Sequence, residues 1–206
     1  MRNTLFGLAA FIAAILGLLV ASIVIPRPMT DEQKRELGLY HFDKPRPIAE
    51  FNMTDHRGKA VGLASLQGQW SLVFFGFTTC PDICPTTLGV LSRAVRDLEE
   101  APQVIMVTVD PERDTPELLS QYVPAFNPAF VGYTGSFDET VALAQQVNIA
   151  FGKMPGDGPG TYTMDHTASL VVIDPQGRYA GFIKACLLYT SPSPRDATLS
   201  RMPSSA

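Results

Sequence analysis

The chain reads as an α/β protein, a three-layer α/β/α sandwich with helices on both faces of a largely parallel sheet. Three observations predict this. Short apolar runs rich in β-branched and aromatic residues recur at 71–77, 104–109 and 168–173. Segments of helical period stand between them. Strands that alternate with helices in this way pair in parallel and need a cover on each face. The chain has 206 residues, 46% of them apolar, enough to bury a core in one domain. A net charge of −4 with no basic run excludes nucleic acid as a partner.

Taken in order, the first element is Thr4 to Ile25, 22 residues without a charge. At about 1.5 Å per residue it matches the roughly 30 Å hydrocarbon core of a bilayer. It predicts a transmembrane anchor over residues 1–25, touching the membrane through 4–25. A cleaved signal peptide competes, but its apolar region runs only about 7–15 residues, and Val20-Ala21-Ser22 is a poor cleavage site. Three residues ahead of the run leave no room for an organelle transit peptide, so the expected location is a bacterial inner membrane, single-pass, with the domain facing the periplasm or the cell exterior.

Residues 26–50 read as a polar tether, helical over Asp31 to Leu39 and extended over Lys44-Pro45-Arg46-Pro47. The domain proper is expected over 51–184. It opens with a hairpin whose arms are Phe51-Asn52-Met53 and Ala60-Val61, around Asp55-His56-Arg57-Gly58. Ser71 to Phe77 predicts a strand buried on both faces. Leu88, Leu91, Val95 and Leu98 predict the amphipathic helix after it. Val104 to Val109 is a second buried strand. Thr115-Pro116-Glu117 starts a helix with Thr115 as N-cap and Pro116 at its first position. Phe130 to Tyr133 is a short strand, and Ser136 with Glu139 caps a helix to Val147. Gly152 to Gly160 reads as a Gly/Pro-rich loop, followed by strands Ala168 to Ile173 and Tyr179 to Ile183 around the turn Asp174-Pro175-Gln176-Gly177. From about residue 185 periodicity stops while Ser and Pro accumulate, so 185–206 is expected to be a non-native tail.

The chemistry sits at the junction of the first buried strand and its helix, in Cys80-Pro-Asp-Ile-Cys84-Pro. A spacing of four places both sulfurs on one side of the first helical turn, where the helix dipole favours thiolate. Such a pair suits a soft cation such as Cu(I), and equally a disulfide. Two inert buried cysteines or a static disulfide is the bland alternative. The discriminating residue is His166, just before the strand at 168. In a thioredoxin-like sheet that loop faces the cysteines, and a reductase carries proline there. Two thiolates and one neutral imidazole make a three-coordinate copper site, whereas zinc usually takes four ligands. His41 and His56 are read as ordinary solvated residues.

Cys80-Pro-Asp-Ile-Cys84-Pro, Val107-Thr-Val-Asp110-Pro-Glu-Arg-Asp114-Thr-Pro and Asp165-His166-Thr167, in this order, closely resemble the Sco/SenC family. The resemblance implies a thioredoxin-like fold and copper held by Cys80, Cys84 and His166. It also implies delivery of that copper to the dinuclear centre of cytochrome c oxidase. The expected partners are the oxidase's copper-bearing subunit and other copper chaperones or thiol reductants. Asp110 and Asp114 match an acidic motif associated with metal handling or docking, while plain turn chemistry accounts for them equally well. The alternative function is a thiol–disulfide reductase that keeps the oxidase subunit's cysteines reduced through the same Cys80–Cys84 pair. A metallochaperone is expected rather than an enzyme. A peroxidase is disfavoured, because no arginine lies in the Cys80 loop to lower a thiol pKa.

Overall fold

The computed structural model describes residues 2–24, 29–156, 158 and 160–184. The tail expected from 185 onward lies outside the described residues. The chain divides into two units, Met1–Lys34 and Arg35–Ala206.

The first unit holds helix α1 (Arg2–Val24), 23 residues long, and the start of α2 (Asp31–Glu36). Several α1 side chains are outside the described residues, and among those described no helix is long and apolar enough to cross a membrane. The span therefore stands on composition alone. Thr30 caps α2 through a reciprocal pair: its Oγ1 accepts from Gln33 N–H at 3.3 Å, and Gln33 Oε1 accepts from Thr30 N–H at 2.9 Å.

In the second unit an eight-stranded sheet is built from β1 (Leu39–Pro47), β2 (Met53–Asp55), β3 (Ala60–Val61), β4 (Ser71–Gly76), β5 (Gln103–Thr108), β6 (Val131–Thr134), β9 (Leu170–Ile173) and β10 (Arg178–Ile183). Across the sheet they run β1-β10-β9-β4-β5-β6-β2-β3. The centre, β4-β5-β6, is parallel, and β9 and β2 flank it antiparallel. The remaining strands, β7 (Phe151–Pro155) and β8 (Tyr162–His166), form a separate two-stranded hairpin.

Helix α3 (Ile83–Val95) and α4 (Pro116–Phe126) cover one face, tied by Ser92 Oγ donating to the Phe126 carbonyl at 2.7 Å. Gly132 in β6 faces this side, where an added Cβ would meet Val123 and Leu119 of α4. The opposite face is closed by α5 (Phe137–Gln146), whose Leu143 surrounds a small apolar void with Val73, Phe75, Ile105 and Val107. Alternate residues of each central strand thus feed two separate apolar layers, which explains why these strands are apolar throughout. This is the expected thioredoxin-like α/β fold with its amino-terminal hairpin.

Local signals act as predicted at both caps. Thr115 Oγ1 accepts from Leu118 N–H and Ser136 Oγ from Glu139 N–H. Glu139 leaves its capping role and accepts instead from Asn52 N–H at 3.2 Å, pinning the strand that enters β2. Three readings need correction. Gly152 to Pro155, expected in a Gly/Pro-rich loop, belong to strand β7, held by its ladder with β8. Residues 39–47, expected within an extended tether, pair with β10 as an edge strand, a position that tolerates Pro45 and Pro47. His56 is buried, at 6% exposure, because its Nδ1 accepts the Gly132 N–H at 3.0 Å. His41 is exposed, as expected.

Candidate metal and redox site

Strand β4 delivers the chain to the site. Its last residue, Gly76, faces α3, and a Cβ there would lie 2.5 Å from Phe74 Cε1 and 3.0 Å from Cys84 Sγ. Only glycine leaves room for that sulfur. After Phe77 the chain turns, with Cys80 N–H donating to the Phe77 carbonyl at 3.3 Å, and α3 begins at Ile83. Cys80 and Cys84 therefore fall on either side of the helix start. The Cys84 amide, one of the helix's unsatisfied N–H groups, donates to Cys80 Sγ at 3.4 Å. Both cysteines are free; Cys80 is half-buried and Cys84 fully buried.

His166, the last residue of β8, comes from 82 positions further along and meets Cys84, Sγ to Nε2 3.6 Å. Phe74 and Phe77 pack roughly perpendicular to its imidazole, with centroids at 5.8 and 5.9 Å. Its Nδ1 lies 3.3 Å from the Thr167 carbonyl. A carbonyl only accepts, so this contact places the proton on Nδ1 and turns the Nε2 lone pair toward Cys84. Burial, the largest cause, holds the His166 pKa below its usual value, and burial likewise pushes the Cys84 thiol up. The pair is a neutral thiol donating to a neutral imidazole.

This donor set fits a soft cation: two sulfurs, one imidazole with its lone pair directed inward, and a dry aromatic rim. Cys84 and His166 are already together, while Cys80 is hooked to the Cys84 amide. Among the described residues no group of three or more His, Cys, Asp or Glu side chains stands as a ready-made metal cluster.

Asp110 and Asp114 are buried, at 1% and 0% exposure. Asp114 accepts from Thr78 N–H at 3.0 Å, Thr78 Oγ1 at 2.5 Å and Thr108 Oγ1 at 2.6 Å. Asp110 accepts from the Tyr162 hydroxyl at 2.8 Å and from Arg113 Nε. Both side chains are occupied with protein donors. The spacing of the motif showed the two carboxylates, but nothing in the sequence named Thr78 or Tyr162 as their companions, or Gly76 as the residue packed on Cys84. Arg113 is engaged elsewhere, with Asp110 and the Tyr162 carbonyl. Together with the raised Cys84 thiol, this weighs against a peroxidatic cysteine.

Residues 42–188 match the family model described as SCO1/SenC. The human mitochondrial protein SCO2 homolog is 38% identical over 138 residues, covering 65% of this chain and 52% of the human protein. The chain spans about half the length of the curated relatives it matches first. The copper-bound structure of Bradyrhizobium japonicum ScoI is 36% identical, with a TM-score of 0.62, covering 75% of this chain and 99% of that one. BsSco, described as carrying a disulfide switch and as a member of the Sco family of cytochrome c oxidase assembly proteins, is 25% identical with a TM-score of 0.57. It aligns with 78% of this chain and 94% of its own. Motif order, strand order and these likenesses agree, and the chain belongs to the SCO1/SenC family.

Proposed function

We propose that this protein is a membrane-anchored copper chaperone that holds copper through Cys80, Cys84 and His166 and passes it to the copper-bearing subunit of cytochrome c oxidase. The observation that carries the reading is the 3.6 Å approach of His166 Nε2 to Cys84 Sγ. It brings an imidazole lone pair to a dithiol where disulfide chemistry alone would not need one. The copper-bound relative and the description of BsSco support the cargo and the recipient. The anchor rests on the uncharged run at 4–25, and the setting that goes with this reading is a bacterial inner membrane with the domain facing the periplasm or cell exterior.

Copper binding must expel the Cys84 proton, since burial keeps that thiol protonated at neutral pH; His166 gives a lone pair with no proton change. Affinity should therefore rise with pH, about tenfold per unit for each thiol proton released. Titration of the full chain with Cu(II) should produce a sulfur-to-copper charge-transfer band. Cys80→Ser, Cys84→Ser and His166→Ala should each remove it. A band that survives His166→Ala sinks the three-ligand site.

One observation favours a second reading, thiol–disulfide exchange with the oxidase subunit's cysteines. Cys80 is the accessible sulfur and Cys84 the buried one. An external disulfide would be attacked by the Cys80 thiolate, releasing one external thiolate and leaving a mixed disulfide on Cys80. Cys84 would then displace the second external thiol, which leaves Cys80–Cys84 oxidised and the target reduced. His166→Ala should spare this exchange while abolishing copper binding, which separates the two roles.

A further inference from the structure

We infer that the loop Asp110–Asp114 is a brace that sets both halves of the thiol–imidazole site at once: Asp114 with Thr78 positions the cysteine arm, and Asp110 with Tyr162 positions the histidine arm. The inference rests on the site assigned under the proposed function and extends it to residues that touch no metal.

The loop leaves β5 and enters α4, and it is internally fixed. Arg113 N–H and Asp114 N–H both donate to the Asp110 carbonyl, at 3.1 and 2.9 Å, and Thr108 Oγ1 accepts from Asp110 N–H at 3.0 Å. Turn chemistry explains those bonds. It does not explain where the carboxylates reach. Asp114 extends 36 positions back to Thr78, two residues before Cys80, taking both the amide and the hydroxyl. Asp110 extends 52 positions forward to the hydroxyl of Tyr162. Tyr162 begins β8, and period two puts it on the same face as His166 at the strand's other end.

The histidine arm needs such a hold more than the cysteine arm does. The β7–β8 hairpin pairs with no strand of the main sheet. It is fastened to the domain by Tyr162 to Asp110, by Arg113 Nη1 to the Tyr162 carbonyl at 3.3 Å, and by the Arg113 guanidinium 4.0 Å over the Tyr162 ring. Lys153 of β7 adds an ion pair to Glu112 of the same loop, at 2.7 Å. Thr108 Oγ1, which donates to Asp114 and accepts from the Asp110 amide, joins the two halves. Residues that orient ligands in this way typically control about 10–100-fold in metal affinity.

The test uses the full apo chain and three readouts: amide exchange in β7–β8, the rate of thiol reaction with Ellman's reagent, and Cu(II) titration. Tyr162→Phe removes one hydroxyl and keeps the ring under Arg113. It should speed exchange across the hairpin about tenfold, weaken copper about tenfold, and leave thiol reactivity unchanged. Thr78→Val should instead raise thiol reactivity severalfold and also weaken copper, with hairpin exchange unaltered. Asp110→Asn combined with Tyr162→Phe should be no worse than Asp110→Asn alone, because the bond the tyrosine change removes is one of those the aspartate change weakens. Wild-type copper affinity in either single variant, or equal disturbance of both arms by each, would overturn the brace. If the wild-type chain takes no copper, the proposed function fails, and the two apo readouts still decide the brace.

Discussion

The two arms of the site are built in opposite ways. The cysteine arm belongs to the core: β4, a tight turn and α3 are consecutive, and Cys84 is buried against Gly76 and Phe74. The histidine arm is a two-stranded hairpin outside the main sheet, seated on the core by Met164 and Phe151 and fastened by polar bonds from Tyr162 and Lys153 to the Asp110–Asp114 loop. A site made of one fixed and one fastened half can change its geometry by moving the fastened half. The same asymmetry sets which substitutions damage the fold and which damage only the site.

The sharpest way to break this contrast is at Asp114, which belongs to the fixed half. Asp114→Ala would leave the Thr78 amide, the Thr78 hydroxyl and the Thr108 hydroxyl without their acceptor in a buried place. It should cost about 3 kcal/mol or more of stability by urea denaturation. Less severe is Gly76→Ala, whose Cβ would press on Cys84 Sγ and the Phe74 ring, and the ring in turn on His166. About 2 kcal/mol is expected from overpacking, with copper binding hurt beyond that share because both arms shift. Ser136→Ala removes the α5 cap, far from either arm. It should cost about 1 kcal/mol and leave copper affinity untouched, which makes it the control for the other two.

The smallest effect expected is in acid. Burial lowers the pKa of both His56 and His166 from the usual 6.5. The unfolded chain then binds protons that the folded chain refuses, so the stabilisation is complete above 6.5 and is lost as pH falls below it. His56→Asn keeps an acceptor for the Gly132 amide. Thermal melts across this range should show a shallower slope in that variant, and the slope that persists belongs to His166. An unchanged slope would mean that His56 contributes nothing.

The contrast between the arms also explains what the sequence could and could not disclose. The cysteine arm is legible because its determinants are local: an apolar strand, a helix period and two thiols at a four-residue spacing. The sequence of the hairpin's first strand predicts a loop because Gly152, Lys153 and Pro155 are poor strand residues. The hairpin's tie to the domain includes Tyr162 meeting Asp110, a contact 52 positions apart that no periodicity encodes. Edge strand β1 was missed for a related reason, since Lys44-Pro45-Arg46-Pro47 argues against a ladder that in fact has a partner on one side only. His56 looked like a turn residue exposed to water, and only the β6 amide opposite it reveals otherwise. Asp110 and Asp114 show the same limit: turn signals were visible, but their distant donors were not.

The rims of the sheet carry one more consequence. One outermost strand, β3, is two residues long. The other, β1, has two residues without an amide hydrogen and a break in register between His41 and Arg46. Neither border offers a continuous row of donors and acceptors to a neighbouring chain. Copies crowded side by side would find little at either border of the eight-stranded sheet to extend.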